Sequence, residues 1–401
     1  MKSHYSMPLL VILILLTLSC SPKKGRIDAK SNAKIIDIAA KVGKEKIVNL
    51  SEIASEVRYV PLETKKESLI DGGIISLFYV KEHIYVIDNI SIIIFDSNGK
   101  HLSTVNRYGR GPQEYPDILH VSVYPENGNI VVFTSAGTIN EYDVYGNFIS
   151  QVKVPELDGH YLVTCFKLDK NTYVASVHQH VFNKRGCSAV LFDSLSNIKL
   201  TIPTPKKYSE SRVARIPMLV QFGEKIRIIH GDVDMDTVYS VTPNLTIEEP
   251  YIFNYGKYKM PYNKQHYSEV LASKTHNNIT LSGNIIETEN YLFLKFNFRG
   301  IKTESYERRR NIVCGIFNKR DGELTLMKEP LKGKLGFKND IDSGPAFWPS
   351  SQSSDNNLIT YYAVDKFKQF ADSNAQSSKI KEIATRLNEN DNPVVVIVKI
   401  N

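Results

Sequence analysis

Carboxylates at alternate positions are the first residues in this sequence that could do chemistry. The stretch "GDVDMDTVYS" sets Asp232, Asp234 and Asp236 two apart, the spacing that opens a calcium loop. The central glycine and closing glutamate of an EF-hand are missing, and a strand near a hairpin turn would hold the same side chains in solvent. "NDIDSGPAFWP" gathers Asn339, Asp340 and Asp342 beside Gly344, Pro345 and Trp348, the single tryptophan. Oxygen ligands on a rigid loop suit Ca²⁺, with Asp340 and Asp342 as the metal-binding carboxylates, and an exposed indole suits a sugar ring. The same aspartates can cap turns while Trp348 packs between elements. His178 and His180 alternate on a strand and could begin a zinc site, but no third ligand is visible. There is no Gly-x-Ser-x-Gly elbow, His-Glu-x-x-His helix or Cys-x-x-Cys pair. No catalytic residue is therefore assigned, and no cofactor beyond a Ca²⁺ ion.

"NRYGRGPQEYPD", Asn106 to Asp117, crowds two glycines and two prolines around Arg107, Arg110 and Glu114. A dinucleotide fingerprint needs a third glycine, a strand before and a helix after; here the third glycine is missing and strands lie on both sides. Arg107, Arg110 and Glu114 could bind a ligand, or tie two pieces of sheet together by charge-assisted hydrogen bonds. The flanking strands favour the tie, with Gly109 and Gly111 supplying unusual backbone angles.

The elements that must position these residues repeat. "SIIIFDSNGK", "TINEYDVYGN", "SAVLFDSLSN", "DTVYSVTPN" and "VCGIFNKRDGE" are apolar runs ending in a polar turn. They align on Phe95-Asp96, Tyr142-Asp143, Phe192-Asp193, Val241-Thr242 and Phe317-Asn318. Around each lie short alternating strands rich in β-branched and aromatic residues, joined by Asn-Gly or Tyr-Gly turns, which argues antiparallel sheet. Four strands per unit at this period are the signature of a propeller blade. The spacing predicts an all-β, six-bladed β-propeller spanning 34–401, with blades near 73–107, 117–155, 160–203, 217–254 and 284–329. The sixth takes "NLITYYAV" and "PVVVIVKI" and borrows "EVRYVPLE" from the N-terminal side, which closes the ring and removes exposed edges. The long step before the fifth unit places an insertion at about Lys257 to Ser282. A helical insertion is expected at about 365–390, with Phe367, Phe370, Ile380, Ile383 and Leu387 on its apolar face and "SNAQSS" splitting it.

The first residues give an address. After Lys2, "MPLLVILILLTL" runs apolar from Met7 to Leu18 and leads into Ser19-Cys20. That run has the length of a signal-peptide core and is short for a membrane span. Leu18 and Ser19 before Cys20 resemble a bacterial lipobox, with Thr17 where leucine is usual. The resemblance implies residues 1–19 as a lipoprotein signal peptide and lipid on the Cys20 thiol, where several acyl chains hold a protein on a bilayer. Residues 20–33 are polar and read as a flexible tether. They carry no acidic run after Cys20, which favours an outer-membrane anchor facing the periplasm over surface export. Net charge falls from +7 to +6 once Lys2 is removed, too mild to argue for nucleic acid. Cys165, Cys187 and Cys314 lack metal-ligand spacing, and as an odd set they read as buried free thiols with one disulfide open.

Five ordered segments then carry a family resemblance: "YVPLET", "YGRGPQEY", "DTVYSV", "EPYIFNYGKYKMP" and "FKNDIDSGPAFWP". They resemble the six-bladed β-propeller lipoproteins of gut anaerobic bacteria, which look like relatives of NHL-type propellers. The resemblance implies a propeller on a lipid anchor and no assigned activity. Two functions follow. The first is a monomeric, non-enzymatic binding module for a glycan, a peptide or a protein partner of the envelope, with Asn339, Asp340, Asp342, Trp348, Arg107, Arg110 and Glu114 as candidate contacts. The second is a metal-dependent lyase or lactonase-like enzyme with its site in the central channel, for which fold analogy is the only warrant.

Overall fold

The computed structural model describes residues 23–24, 33–157, 160–178, 187–204, 217–230, 236–260, 277–301, 311–353, 356–373 and 377–401. Six small sheets form the blades of one propeller. From the inner strand outwards, the first blade is Ser76–Val80, His83–Ile87, Ile92–Asp96 and His101–Val105. The second is His120–Val123, Ile130–Phe133, Thr138–Tyr142 and Phe148–Lys153, and the third is Tyr161–Lys167, Thr172–His178, Cys187–Asp193 and Ile198–Pro203. The fourth is Met218–Phe222, Lys225–Ile229, Thr237–Val241 and Ile247–Asn254. In the fifth, the inner strand is broken into Asn278–Leu281 and Ile286–Glu287, followed by Tyr291–Arg299, Asn311–Asn318 and Leu324–Met327.

The sixth blade joins sequence-distant segments. Its inner strand is only Ser351–Gln352; Asn357–Tyr362 and Val394–Ile400 follow, and Ala54–Pro61 pairs antiparallel with Val394–Ile400 as the outer strand. This is the predicted closure. The helical insertion is present as α1 (Val364–Ser373) and α2 (Ser378–Arg386). Phe367, Ile380 and Leu387 are buried under it and Phe370 and Ile383 half-buried, as the spacing predicts. The other insertion ends earlier than expected, because Asn278–Leu281 is already strand; residues 261–276 lie outside the described set.

Side-chain alternation explains why the sheets stack radially. Successive residues of a strand point to opposite faces, and each face here meets a neighbouring blade. In the first blade's third strand, Ile92 and Ile94 pack against the second blade, while Ile93 and Phe95 pack against the sixth. Every seam has its own buried apolar cluster of this kind.

The repeated turn is a side-chain cap. Asp96 accepts from the Asn98 and Lys100 amides, Asp143 from those of Tyr145 and Asn147, and Asp193 from those of Leu195 and Asn197. Three residues after each aspartate the backbone is left-handed, at Gly99 (φ 85°), Gly146 (φ 82°) and Ser196 (φ 66°). At Gly99 glycine is also required for space, since a Cβ would collide with the Pro61 carbonyl of the sixth blade.

The described parts of the N-terminal segment lie as a strap along outer strands. Lys23–Lys24 lie parallel to Leu200–Thr201 of the third blade, within the stretch expected to be a tether. Lys34–Asp37 lie parallel to Tyr251–Asn254 of the fourth. Lys46 bridges Met327 of the fifth, again parallel. The chain then becomes the outer strand of the sixth blade and continues over the first, where the Glu63 carboxylate accepts from the His101 amide at 2.9 Å and the Glu67 carbonyl accepts from Thr104 Oγ1 at 2.8 Å.

Candidate functional site

The six inner strands surround a central channel of about 1060 Å³. They run in one sense, as the parallel bridge between Tyr79 and Ser353 of adjoining blades records, so the channel has an end where the strands begin and an end where they finish. Three blades place an exposed apolar residue at or just before the start of the inner strand: Ile75 (64% exposed), Leu119 (47%) and Tyr161 (71%). The walls carry Phe78, Phe166, Ser122 and Thr164. The turns leaving the inner strands bring Glu126, Glu224 and Glu289 to the other end, with Lys81 among them.

Local electrostatics follow this layout. His120 Nδ1 lies 3.0 Å from the Cys165 carbonyl and its ring 4.8 Å from that of Phe166. Burial presses its pKa down to about 4, so at neutral pH it is an uncharged hydrogen-bonding wall residue. Tyr124 donates to Glu126 Oε2 at 2.7 Å. Burial raises the Tyr124 pKa, and the negative charges of Glu126, Asp169 and Glu224 raise it further, which marks the carboxylate-rich end. The apolar Ile74 and Ile75, the aromatic walls and the carboxylate acceptors together can hold a ligand that has a ring or alkyl face and hydroxyl or ammonium donors.

The seams beside the channel contain ion pairs that sequence spacing does not reveal. Glu287, on the fifth blade's inner strand, receives Arg227 Nε at 2.8 Å and Nη2 at 2.9 Å, Lys319 Nζ at 2.9 Å and the Tyr251 hydroxyl at 2.9 Å. Burial alone would raise the Glu287 pKa, but Arg227 and Lys319 hold it below the ordinary value. Lys167 of the third blade similarly meets Glu141 of the second at 2.7 Å. Between the third and fourth blades, Ser188 Oγ lies 2.6 Å from His230 Nε2, a nucleophile-to-base distance. Ser188 is fully buried, so this contact ties blades and does not face substrate.

The residues singled out by type occupy structural positions. In Asn106–Asp117, Tyr115 is fully buried. Its hydroxyl donates to the Ile90 carbonyl at 2.8 Å, with that of Val105 at 3.1 Å, and accepts from the Arg107 amide at 3.2 Å. Arg107 Nη2 reaches the Gly146 carbonyl of the next blade at 3.4 Å. Glu114 accepts from the Gly111 amide at 2.6 Å, while Arg110 is exposed. The left-handed residue is Gln113 (φ 68°), not a glycine. Gly109 and Gly111 serve instead to leave room for the Glu114 carboxylate, which a Cβ at either would meet. The loop is the joint between the first and second blades.

The second loop is a joint too. Asp340 accepts from the Ser51 amide (3.0 Å) and hydroxyl (2.6 Å). Asp342 Oδ1 accepts from Tyr59 (3.1 Å), Asn339 Nδ2 (2.9 Å) and the Gly344 amide (3.0 Å). The two carboxylates thus bind separate donor sets, and among the described residues no group of three His, Cys, Asp or Glu side chains could hold a metal. Trp348 stacks on Phe337 (6.1 Å, 14°) and meets the edge of Phe293, with Lys295 over its ring, so it packs between the fifth and sixth blades. Asp236 is held by Lys259 at 2.7 Å. Cys20, Asp232, Asp234 and His180 lie outside the described residues. Cys165, Cys187 and Cys314 are free thiols.

Comparison with known proteins agrees on the fold. A protein from Bacteroides fragilis, named as exported, superposes with a TM-score of 0.68 at 18% identity, over 92% of this chain and 99% of that one. A member of the DUF4221 family from Bacteroides vulgatus gives 0.52 at 12% identity, over 89% and 99%. No curated protein matches the chain. A domain of unknown function, DUF4934, matches residues 33–399, and the chain belongs to that family.

Proposed function

We propose that the protein is a non-enzymatic binding module of the cell envelope whose ligand, a glycan or a peptide segment of an envelope protein, enters the central channel. Lipid on Cys20 holds it on the outer membrane facing the periplasm, as a monomeric platform. The supporting observation is the channel itself: a volume of about 1060 Å³ with Ile74 and Ile75 at one end and Glu126, Glu224 and Glu289 at the other. Pockets of this size with aromatic walls and a few convergent polar groups suit ligand binding. The likeness to an exported protein of the same fold fits an envelope address.

The test is titration calorimetry of the mature protein with peptidoglycan fragments, envelope oligosaccharides and peptides. Ser76→Trp, which fills the channel, is expected to weaken binding about tenfold or more with unchanged Tm. Binding indifferent to Ser76→Trp, or steady turnover of the bound compound, overturns the reading. The anchor has its own test: Cys20→Ser should move the protein from the membrane to the soluble fraction, and unchanged fractionation refutes lipidation.

A further inference from the structure

The sixth blade leaves a gap in the channel wall. Among the described residues that line the channel, Tyr361 alone belongs to a second strand; the others lie on inner strands or the segments next to them. The register pairs Ser351 with Ile359 and Gln352 with Leu358. Carried two residues further, it would set Pro349 opposite Tyr361, and proline has no N–H to give. The chain instead bends at Ser350. It carries Trp348 onto Phe337 and Phe293 at the seam with the fifth blade. The inner strand therefore stops before it reaches Tyr361.

Alternation shows which backbone groups face the gap. The Ile400 amide donates to the Asn356 carbonyl at 3.4 Å. Leu358, Thr360 and Tyr362 therefore turn N–H and C=O towards Val394–Ile400, and Asn357, Ile359 and Tyr361 turn theirs towards the axis. The Asn357 carbonyl is met by the Ser353 amide at 3.2 Å and the Ile359 carbonyl by the Ser350 amide at 2.9 Å. Among the described residues, nothing meets the N–H or C=O of Tyr361. The chain on both sides of the gap, 33–157 and 311–353, is described without a break. Tyr361 and Ile74 are half-buried against one apolar cluster at the seam with the first blade, and both border the channel.

We propose that the channel takes an extended peptide, one residue of which pairs with Tyr361 and so continues the sixth blade's inner strand. The proposal rests on the channel as the binding site and narrows its ligand to a peptide. Tyr361 presents a donor and an acceptor on the same side of its strand. One residue of an extended antiparallel segment answers both with its own C=O and N–H. The acetamido group of a sugar cannot, because a trans amide directs its N–H and C=O in opposite directions. Backbone pairing supplies affinity in such strand addition, and side chains supply specificity. Residues directly opposite each other put their side chains on one face, so the paired residue's side chain lies on the face of Tyr361 and Ile74 and is apolar.

The probe is a short peptide selected from a random pool on the immobilised mature protein, with affinity read by fluorescence anisotropy. Hydrogen exchange resolved to single amides should show the Tyr361 amide slowing about tenfold or more when the peptide is bound. The Thr360 and Tyr362 amides, already in the ladder, should not change. Tyr361→Ala keeps the backbone donor and Tyr361→Pro removes it, while both lose the same side chain. The proline variant should bind the peptide about tenfold more weakly than the alanine variant. Tm checks that both fold, and if the proline variant does not, hydrogen exchange of the unaltered protein decides. A Tyr361 amide that exchanges alike with and without peptide overturns the pairing, as does equal affinity of the two folded variants. A pool that yields no peptide sensitive to Ser76→Trp overturns it too. If oligosaccharides then still bind and Ser76→Trp weakens them, the channel remains the binding site without the pairing; if nothing binds there, both readings fall.

Discussion

In the loop Asn106–Asp117, an arginine, a glutamate and a tyrosine are each engaged with protein atoms: Arg107 with Gly146, Glu114 with Gly111, Tyr115 with Ile90. In the channel, ordinary apolar strand residues such as Phe78, Phe166 and Leu219 border open volume. The contrast teaches that in a ring of sheets the chemically versatile residues are needed first at the joints. Radial stacking leaves loops and inner-strand edges with backbone groups to satisfy at each seam, and a buried polar group without a partner costs more than a hydrogen bond returns. A site read by residue type alone therefore lands on seams, and a site read by accessible volume lands on the axis.

Breaking a seam should have the largest effect. Glu287→Ala leaves Arg227 and Lys319 facing each other in a buried pocket and is expected to cost about 3–5 kcal/mol, read by urea unfolding. Tyr115→Phe removes only the hydroxyl that joins the first and second blades and should cost about 1–3 kcal/mol. Arg110→Ala, in the same loop but exposed, should stay within about 0.5 kcal/mol; equal losses for the two would mean that the loop is not the joint described.

A smaller and pH-dependent effect sharpens the comparison at the repeated turns. Burial raises the Asp193 carboxyl, but Lys199 and the Asn197 and Leu195 groups outweigh it and bring the pKa down to about 2, from 3.8. A depressed carboxyl stabilises the fold fully above its unfolded value and loses that stabilisation as pH falls through the folded value. Tm of the native protein should therefore drop between about pH 4 and pH 2 more steeply than that of Asp193→Asn. The smallest effect on stability belongs to the channel. Ile75→Ser, at a 64% exposed residue lining the channel, is expected to shift stability by about 0.5 kcal/mol or less while reducing ligand affinity; a large loss of stability would make the channel wall a seam as well.

The blade count and the closing strand were legible because both depend on local pattern. The Asp-to-Gly turns at 96–99 and 143–146 recur with their strands, and "EVRYVPLE" alternates as a strand should. The broken inner strand of the fifth blade and the two-residue inner strand Ser351–Gln352 were not, since short strands leave no period to read. The ion pair Arg227–Glu287 joins residues far apart in sequence, and nothing near either residue signals the other. Asn339, Asp342 and Trp348 looked like a site because their partners, Tyr59 among them, lie on a strand from the opposite part of the chain. The strap was hidden for the same reason: "KIID" reads as a short strand, but its parallel partner Tyr251–Asn254 cannot be guessed from it.

The pairing of Ala54–Pro61 with Val394–Ile400 also sets an order of events during translation. The earlier strand leaves the ribosome long before its neighbour exists, and the sixth blade cannot assemble until the later one is made. A message cut short before Val394, or a chain clipped there, gives a split wheel with raw hydrogen-bonding ends, the kind of surface that proteases and chaperones recognise. Ring closure thus cannot be completed without Val394–Ile400.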